Sequence, residues 1–410
     1  MQIKERILFL ALMLIAAINL KAQKITTFTS TDGLPSDDVK CLTSDESNNM
    51  WFGTAAGVTK YDGTTWTVFT TTTDAQIPNN SITAIAATKD NKIWIGTDYG
   101  AAVYDGTNWI KYTTTDGLGS NRINNIFQAK NGDIWISDFK GVTKYNGSTF
   151  TTFGTSDGLP FGGVQDIKET SNGDILMATS LGGLFVYNGS IFKSYTESNG
   201  VISNSTSALA LAQNGDIWIG TGDGASVFDS NYDSIGTHTR MYLMPPPDTL
   251  NPVQDIKIDS RGNVWVGIYV DYLVTVGGVA MFDGNQWVNY DEEDGLAGPT
   301  IRKMTLDKNN NVWVGTSAGV SKIESPYLNT KEIVANGLTV YPIPAKDELN
   351  ITFNNIKDAS SPLKIYNSEG QLVMVRNTSG KLNSTIDLTN LDKGFYYIHC
   401  NSLVKKIVVN

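Results

Sequence analysis

The sequence predicts an all-β fold: a seven-bladed β-propeller closed by an N-terminal strand, followed by a small β-sandwich C-terminal domain. Three observations predict it. An apolar strand in a fixed frame, with Trp at its marker position in six copies and Leu in the other, returns seven times, about 42 residues apart. Each return parses into four short strands. The last return lacks its fourth strand, and the N-terminal segment has the sequence to supply it. The composition agrees, with 39 Gly, 9 Trp and 17 Tyr but only 18% charged residues in 410, below the roughly 25% of an average chain.

Residues 1–22 begin with Lys4 and Arg6, continue as an apolar run over 7–18 and end at Ala22. A run of about 12–14 apolar residues falls short of the roughly 20 that span a bilayer. The expectation is therefore a cleaved secretory signal peptide. No other stretch approaches spanning length, so the mature chain is expected to have no transmembrane segment.

The propeller is expected over residues 23–326. Its markers are Trp51, Trp94, Trp135, Trp218, Trp265 and Trp313, with Leu176 in the same frame, at spacings of 43, 41, 41, 42, 47 and 48. In the first unit the strands are expected at 39–43, 50–54, 58–61 and 66–70, separated by the turn signals SDESNN, AAG and DGTT. Four strands per 42 residues make a propeller blade, and leucine-rich repeats would need units of about 20–29 residues. The pairs at Gly63, Gly106, Gly147, Gly189 and Gly284, each after Asp or Asn, read as hairpin turns. The Trp, flanked by apolar residues in every unit, read as packing between blades.

Outer strands recur as Trp66-x-x-Phe69, Trp109-x-x-Tyr112, Phe150-x-x-Phe153, Phe192-x-x-Tyr195 and Trp287-x-x-Tyr290. The seventh unit stops after its third strand. The matching piece, Ile25-Thr26-Thr27-Phe28-Thr29 followed by Asp32-Gly33-Leu34, lies near the N-terminus. Closing the last blade with it removes the open edge of the ring.

With its D-G-L, W-I-G-T and G-V-x-x-Y-D-G elements, the unit resembles the two-component-regulator propeller repeat. In bacterial hybrid histidine kinases such repeats form periplasmic sensors, and members of that kind detect glycans. No kinase segment accompanies the repeats here, so no inward signalling by this chain alone is expected.

A linker is expected at 327–336 and a sandwich at 337–410, with alternation at 363–366, 385–388 and 396–398. Val340, Tyr341, Pro342, Pro344, Ala345, Gly370, Gln371, Leu391, Gly394, Tyr396, Lys405 and Lys406 follow a pattern that resembles the type A C-terminal sorting domain of the type IX secretion system of Bacteroidetes. Ile343 stands where that family usually has Asn. The resemblance implies passage through the outer-membrane secretion machinery, and an extracellular or surface-anchored destination.

Lys and Arg number 31 against 41 Asp and Glu, a net charge of −10, which argues against nucleic acid as a partner. The central segment 23–326 holds 19 basic against 33 acidic residues, which also disfavours polyanions. Two Cys exclude a disulfide scaffold; both are expected as buried thiols.

Function is expected where the units differ, in the loops between second and third strands and in the connections between blades. Tyr99, Phe139, Tyr269 and Tyr272 are candidate stacking platforms. Asp98, Asp138, Asp223 and Asp271 are candidate hydrogen-bond acceptors. Two His, His238 and His399, are too few for a multi-His zinc site, and His238 is expected in a hairpin on the face opposite these residues. Segments 45–49, 90–91 and 307–311 read as turns that only faintly resemble calcium loops. No metal and no cofactor is expected. The functional reading is a monomeric, non-catalytic recognition module for a glycan or a partner in glycan use. A carboxylate-dependent polysaccharide lyase or hydrolase, and a protein–protein scaffold, are the alternatives.

Overall fold

The computed structural model describes residues 24–242, 251–268, 277–324, 338–341, 345–353, 362–367, 371–377, 381–400 and 403–409. The expected leader at 1–22 and linker at 327–336 lie outside them. The chain divides into two compact units, Met1–Ser325 and Pro326–Asn410.

The first unit holds seven antiparallel four-stranded sheets, one per blade. The inner strands are Val39–Ser44, Ile82–Ala87, Ile123–Gln128, Val164–Glu169, Thr206–Leu211, Val253–Ile258 and Ile301–Leu306, each neighbouring the next around the axis. Second strands such as Met50–Thr54 and Ile217–Thr221 are buried along their whole length. Blades pack on both of their faces, which explains continuous apolar runs where a one-faced sheet would alternate. The glycine of W-I-G-T exists because of this packing. A side chain at Gly53 would meet Ile82 of the next blade at 2.6 Å, and one at Gly96 would meet Ile123 at 2.5 Å.

The marker Trp are buried between blades. Trp51 packs with Ile93, Ile95 and Trp109 of blade two, and Trp313 with Val39, Leu42 and Phe52 of blade one. Three are also held by a carboxylate. Trp51, Trp265 and Trp313 donate Nε1–H to Asp45, Asp259 and Asp307 at 3.0, 3.2 and 3.0 Å. The segments 45–49 and 307–311 are therefore turns whose Asp45 and Asp307 carboxylates point inward. In D-G-L the Asp caps its own turn, as Asp32 accepts Thr29 N–H at 2.8 Å, and the Leu is a buried plug, as at Leu34, Leu118 and Leu159.

The ring closes as the sequence predicts. Ile25–Phe28 pairs antiparallel with the third strand of blade seven, Ile25 opposite Ile323 and Phe28 opposite Val320.

Blade five corrects one expectation. His238 is not in a hairpin loop on the far face; it ends the outer strand Ser234–His238, opposite Ala225. There it stacks on Trp218 at 4.8 Å, the role that Phe69 plays on Trp51 in blade one. Burial lowers its pKa, so the ring is a neutral aromatic spacer.

The second unit is a sandwich with two sheets. One contains Leu338–Tyr341, Glu348–Phe353 and Asn383–Asp387; the other contains Leu372–Arg376, Leu363–Asn367, Gly394–Cys400 and Leu403–Val409. Alternate residues Leu349, Ile351 and Phe353 from one sheet, and Leu363, Ile365 and Ile398 from the other, share one core. Cys41 and Cys400 are buried thiols, one in each unit.

Candidate functional site

The tight turns between second and third strands share one device. The hydroxyl of Thr54 donates to Gly57 O at 2.9 Å and accepts Ala56 N–H at 3.1 Å; Thr97, Thr179, Thr221 and Thr316 do the same. The turn ends on Gly because a side chain there would strike the outer strand. At Gly141, with φ +152°, a Cβ would lie 2.1 Å from Phe153 O. The turn is thus rigid, and its tip residues are presented to solvent.

Blade three departs from this device. Asp138 replaces the Thr and accepts N–H from Lys140 at 2.6 Å and Gly141 at 3.1 Å. The carboxyl is buried, at 2% exposure, and burial raises its pKa in spite of those two donors. It lines a groove of about 620 Å³ with Lys140, Thr143, Asp157 and Phe161.

Around this groove the tips carry large apolar groups. Tyr99, Phe139, Phe161 and Leu181 are 62%, 43%, 78% and 68% exposed. They come from blades two, three and four in succession. The loop bearing Phe161 lies between the other two: a Cβ on Gly163 would be 3.1 Å from Phe139 Cα, and one on Gly162 would be 3.4 Å from Leu181 Cδ1. Arg122 lies 4.5 Å over the Phe139 ring and pairs through Nε with Asp98 at 3.2 Å. The arrangement offers flat apolar surface beside ionic and hydrogen-bonding groups, which can stack on a ring and orient its substituents.

Of the sequence-chosen residues, Asp98, Tyr99, Asp138 and Phe139 come together here. Asp223 is an exposed turn residue of blade five. Tyr269, Asp271 and Tyr272 lie outside the described residues, as do Pro342, Pro344 and Gly370 of the sorting pattern. Val340 is buried, and Tyr341 pairs with Asn350. Gly394 opens its strand, and Lys405 and Lys406 lie opposite Ile398 and Tyr397. Arg122, Phe161 and Leu181 were missed; a Pro-Phe-Gly-Gly connection after D-G-L was the available signal for Phe161.

A second constellation went unread in the sequence, although Val164–Lys168 is repeated letter for letter as Val253–Lys257. Every inner strand has a β-bulge at its start, between Val164 and Asp166 or Val253 and Asp255 for example. Asp166 accepts Leu209 N–H from the next blade at 2.9 Å and Lys168 Nζ at 2.8 Å. Asp255 accepts Met304 N–H at 2.7 Å and Lys257 Nζ at 2.7 Å. Each carboxylate therefore stitches one blade to the next by satisfying a buried N–H. Burial tends to raise the Asp166 pKa, but Lys168, Lys303 and Lys257 outweigh it and hold the group at about 2.

A folded-state pKa below the ordinary value of 3.8 means that this stabilisation is present above about pH 4 and is lost as pH falls toward 2. Its size is about 2 kcal/mol. Asp166→Asn is expected to flatten the decline of the unfolding midpoint between pH 4 and 2, read by chemical denaturation at a series of pH values. An unchanged decline would assign acid sensitivity elsewhere.

Among the described residues no group of His, Cys, Asp and Glu could hold a metal, and no helix is long and apolar enough to cross a membrane.

Comparison with known proteins follows the two units. Residues 33–56, 76–99 and 117–140 match the family described as Two component regulator propeller. Residues 339–410 match the family described as Secretion system C-terminal sorting domain. No curated protein matches the sequence. Among solved structures, the extracellular domain of a hybrid two-component system of B. thetaiotaomicron is 18% identical with a TM-score of 0.61, covering 94% of this chain and 54% of that one. PorZ, a surface component of the type-IX secretion system of Porphyromonas gingivalis, is 16% identical with a TM-score of 0.60, covering 94% and 60%. This chain thus spans little more than half the length of either. Virginiamycin B lyase of Staphylococcus aureus is 10% identical with a TM-score of 0.55, covering 73% and 98%. At these identities the likeness is one of fold.

Proposed function

We propose that this chain, which carries Two component regulator propeller repeats ahead of a secretion system C-terminal sorting domain, is a non-catalytic glycan-recognition propeller. The sorting domain makes it a secreted or cell-surface protein whose partner on the way out is the secretion machinery. The leader at 1–22, the removal of that leader, and a boundary near residue 326 belong to the same proposal.

The observation that carries the glycan reading is the row of exposed apolar side chains Tyr99, Phe139 and Phe161 beside Arg122 and Asp98. Sugar rings present flat faces of C–H groups and a rim of hydroxyls, and this surface pairs apolar area with charged hydrogen-bonding groups. Exposed clusters of this kind are uncommon on a monomer without a binding role. Tyr269, Asp271, Tyr272 and Asp223 belong to the same proposal as further candidate ligand contacts.

The test is thermal unfolding of the full chain against neutral and acidic oligosaccharides. A ligand at a hundredfold excess over its Kd adds about 2.7 kcal/mol, a shift of a few degrees. Tyr99→Ala with Phe139→Ala and Phe161→Ala should keep the unliganded midpoint within about 0.5 kcal/mol, because these groups are exposed, and should abolish the shift. No shift with any sugar, or a shift that survives all three changes, rejects this surface. A second reading, hydrolysis or lyase chemistry by carboxylates, is favoured by the raised pKa of Asp138 in its groove. It requires new reducing ends or unsaturated products that disappear in Asp138→Asn.

A further inference from the structure

The channel along the propeller axis has a charge opposite to that of the body around it. Its cavity of about 320 Å³ is lined by four lysines, Lys89, Lys168, Lys257 and Lys303, against two aspartates, Asp166 and Asp255. Cys41, also in the lining, is pushed up to about 12 by burial and stays a neutral thiol. The lining therefore carries a surplus of two positive charges, inside a segment that holds 19 basic against 33 acidic residues.

The two carboxylates are already engaged. Asp166 takes Lys168, and Asp255 takes Lys257 through both of its oxygens, at 2.8 and 2.7 Å; each also accepts a backbone N–H from the next blade. Lys303 reaches the same Asp255 at 3.8 Å, and although burial works against it, Asp255 and Asp166 hold its ammonium above the usual lysine range, so it stays charged. The three inner lysines line the same cavity; burial, with repulsion from Lys168 and Lys303, holds Lys257 below the usual lysine range although Asp255 and Asp166 act against it. Lys89 lies at an exposed position of the lining, so the inner channel itself holds three partly exposed lysines against two buried aspartates, a surplus of one charge that an anion would offset. The opposing acidity of the outer surface is screened within about 8–10 Å at physiological salt, so the sign of the charge in the channel follows from its own lining. Blade five contributes only Ala208 and Ala210 at the matching inner-strand positions, between the two repeated Asp-x-Lys segments.

The geometry points to a small-anion site in the central channel, in which Lys303, with Lys257 and Lys168, holds one oxyanion or carboxylate group. The volume lies at the lower end of small-molecule sites, roughly 300–1,000 Å³, and admits an inorganic oxyanion or an acid no larger than a monosaccharide. The inference does not depend on the surface around Phe139.

The experiment is calorimetric titration of the full chain with sulfate, acetate and galacturonate, with glucose as the neutral control, at constant ionic strength. Sulfate stabilises proteins generally by exclusion, so thermal midpoints are compared between wild type and variants. Saturable binding of at least one anion is expected. Lys303→Met should weaken it at least tenfold, and Lys89→Ala, at an exposed position that does not endanger folding, should weaken it a few-fold. Galacturonate bound more tightly than acetate or sulfate identifies an acidic sugar as the source of the carboxylate; sulfate bound most tightly identifies a free oxyanion. No saturable binding to the wild type overturns the site. Binding that is equal in the wild type and Lys89→Ala, and in Lys303→Met where that variant folds, also overturns it.

Discussion

Deleting residues 24–31 is expected to lower the thermal midpoint of the propeller by about 10 °C and to promote self-association. The segment supplies the outer strand of blade seven, pairing residue by residue with the strand that ends at Ile323. It also supplies Phe28, which stacks on Trp313 at 5.6 Å and meets Tyr61 and Trp66 of blade one at 5.6 and 5.8 Å. A truncated aromatic costs about 3–5 kcal/mol, and the half-buried Phe28 belongs at the lower end. With the lost ladder the total is roughly 4–6 kcal/mol, at about 2 °C or more per kcal/mol for a domain this large. An unpaired strand edge is left behind, which invites pairing between molecules. Melting by circular dichroism with size-exclusion chromatography reads both effects. A deletion that melts within two or three degrees of the parent and elutes at the parent's volume would mean that the ring holds without its N-terminal strand. Phe28→Ala separates the contribution of the ring from that of the ladder.

Asp307→Ala carries the second large effect. This one buried carboxylate accepts the backbone N–H of Asn309 and of Asn311 at 2.9 Å, Asn311 Nδ2 at 2.8 Å and Trp313 Nε1 at 3.0 Å. Removing it strands several donors at once, at about 1–3 kcal/mol each where water cannot reach. Because the turn is partly open to solvent, a net loss of about 3–4 kcal/mol is expected, or roughly 6–8 °C. Asp307→Asn should recover part of it, since one oxygen remains to accept. Trp313→Phe removes one donor together with the indole, so its loss and that of Asp307→Ala should be less than additive. Equal stability of Asp307→Ala and the parent would show that the interaction is only geometric.

Much of the fold was legible because its determinants are local. Apolar strands, Gly-bearing turns and the Trp frame repeat every 42 residues or so, and the absent fourth strand of the last unit is conspicuous against the outer-strand motif of five others. Blade five was misread at one point, since Ser234–His238 lacks the aromatic pair that marks an outer strand elsewhere. The structure shows two residues sharing the work: Tyr232 packs on Tyr195 and donates to Asp174 at 2.6 Å, while His238 covers Trp218.

The candidate site was legible only in part. Tyr99 and Phe139 could be picked out as loop aromatics, but Asp138 looked like a free loop acceptor when its carboxyl is a buried replacement for threonine. Arg122 had no motif at all. Its position over Phe139 depends on where the connection between blades two and three crosses the next turn.

By itself, then, the sequence determined the number of blades, the strand that closes them, the C-terminal sandwich and the exported destination that its sorting pattern implies, because all of these rest on short-range patterns. Only the tertiary structure decided which polar groups face one another. Lys168, Lys257 and Lys303 belong to different blades, and nothing in the spacing of their segments says that they line one cavity. Ring closure brings them to a common axis, and the bulge at the start of each inner strand disposes of the nearby carboxylates by turning them to the next blade's backbone. Charge in a folded chain acts over a few ångströms, and those ångströms are set by packing.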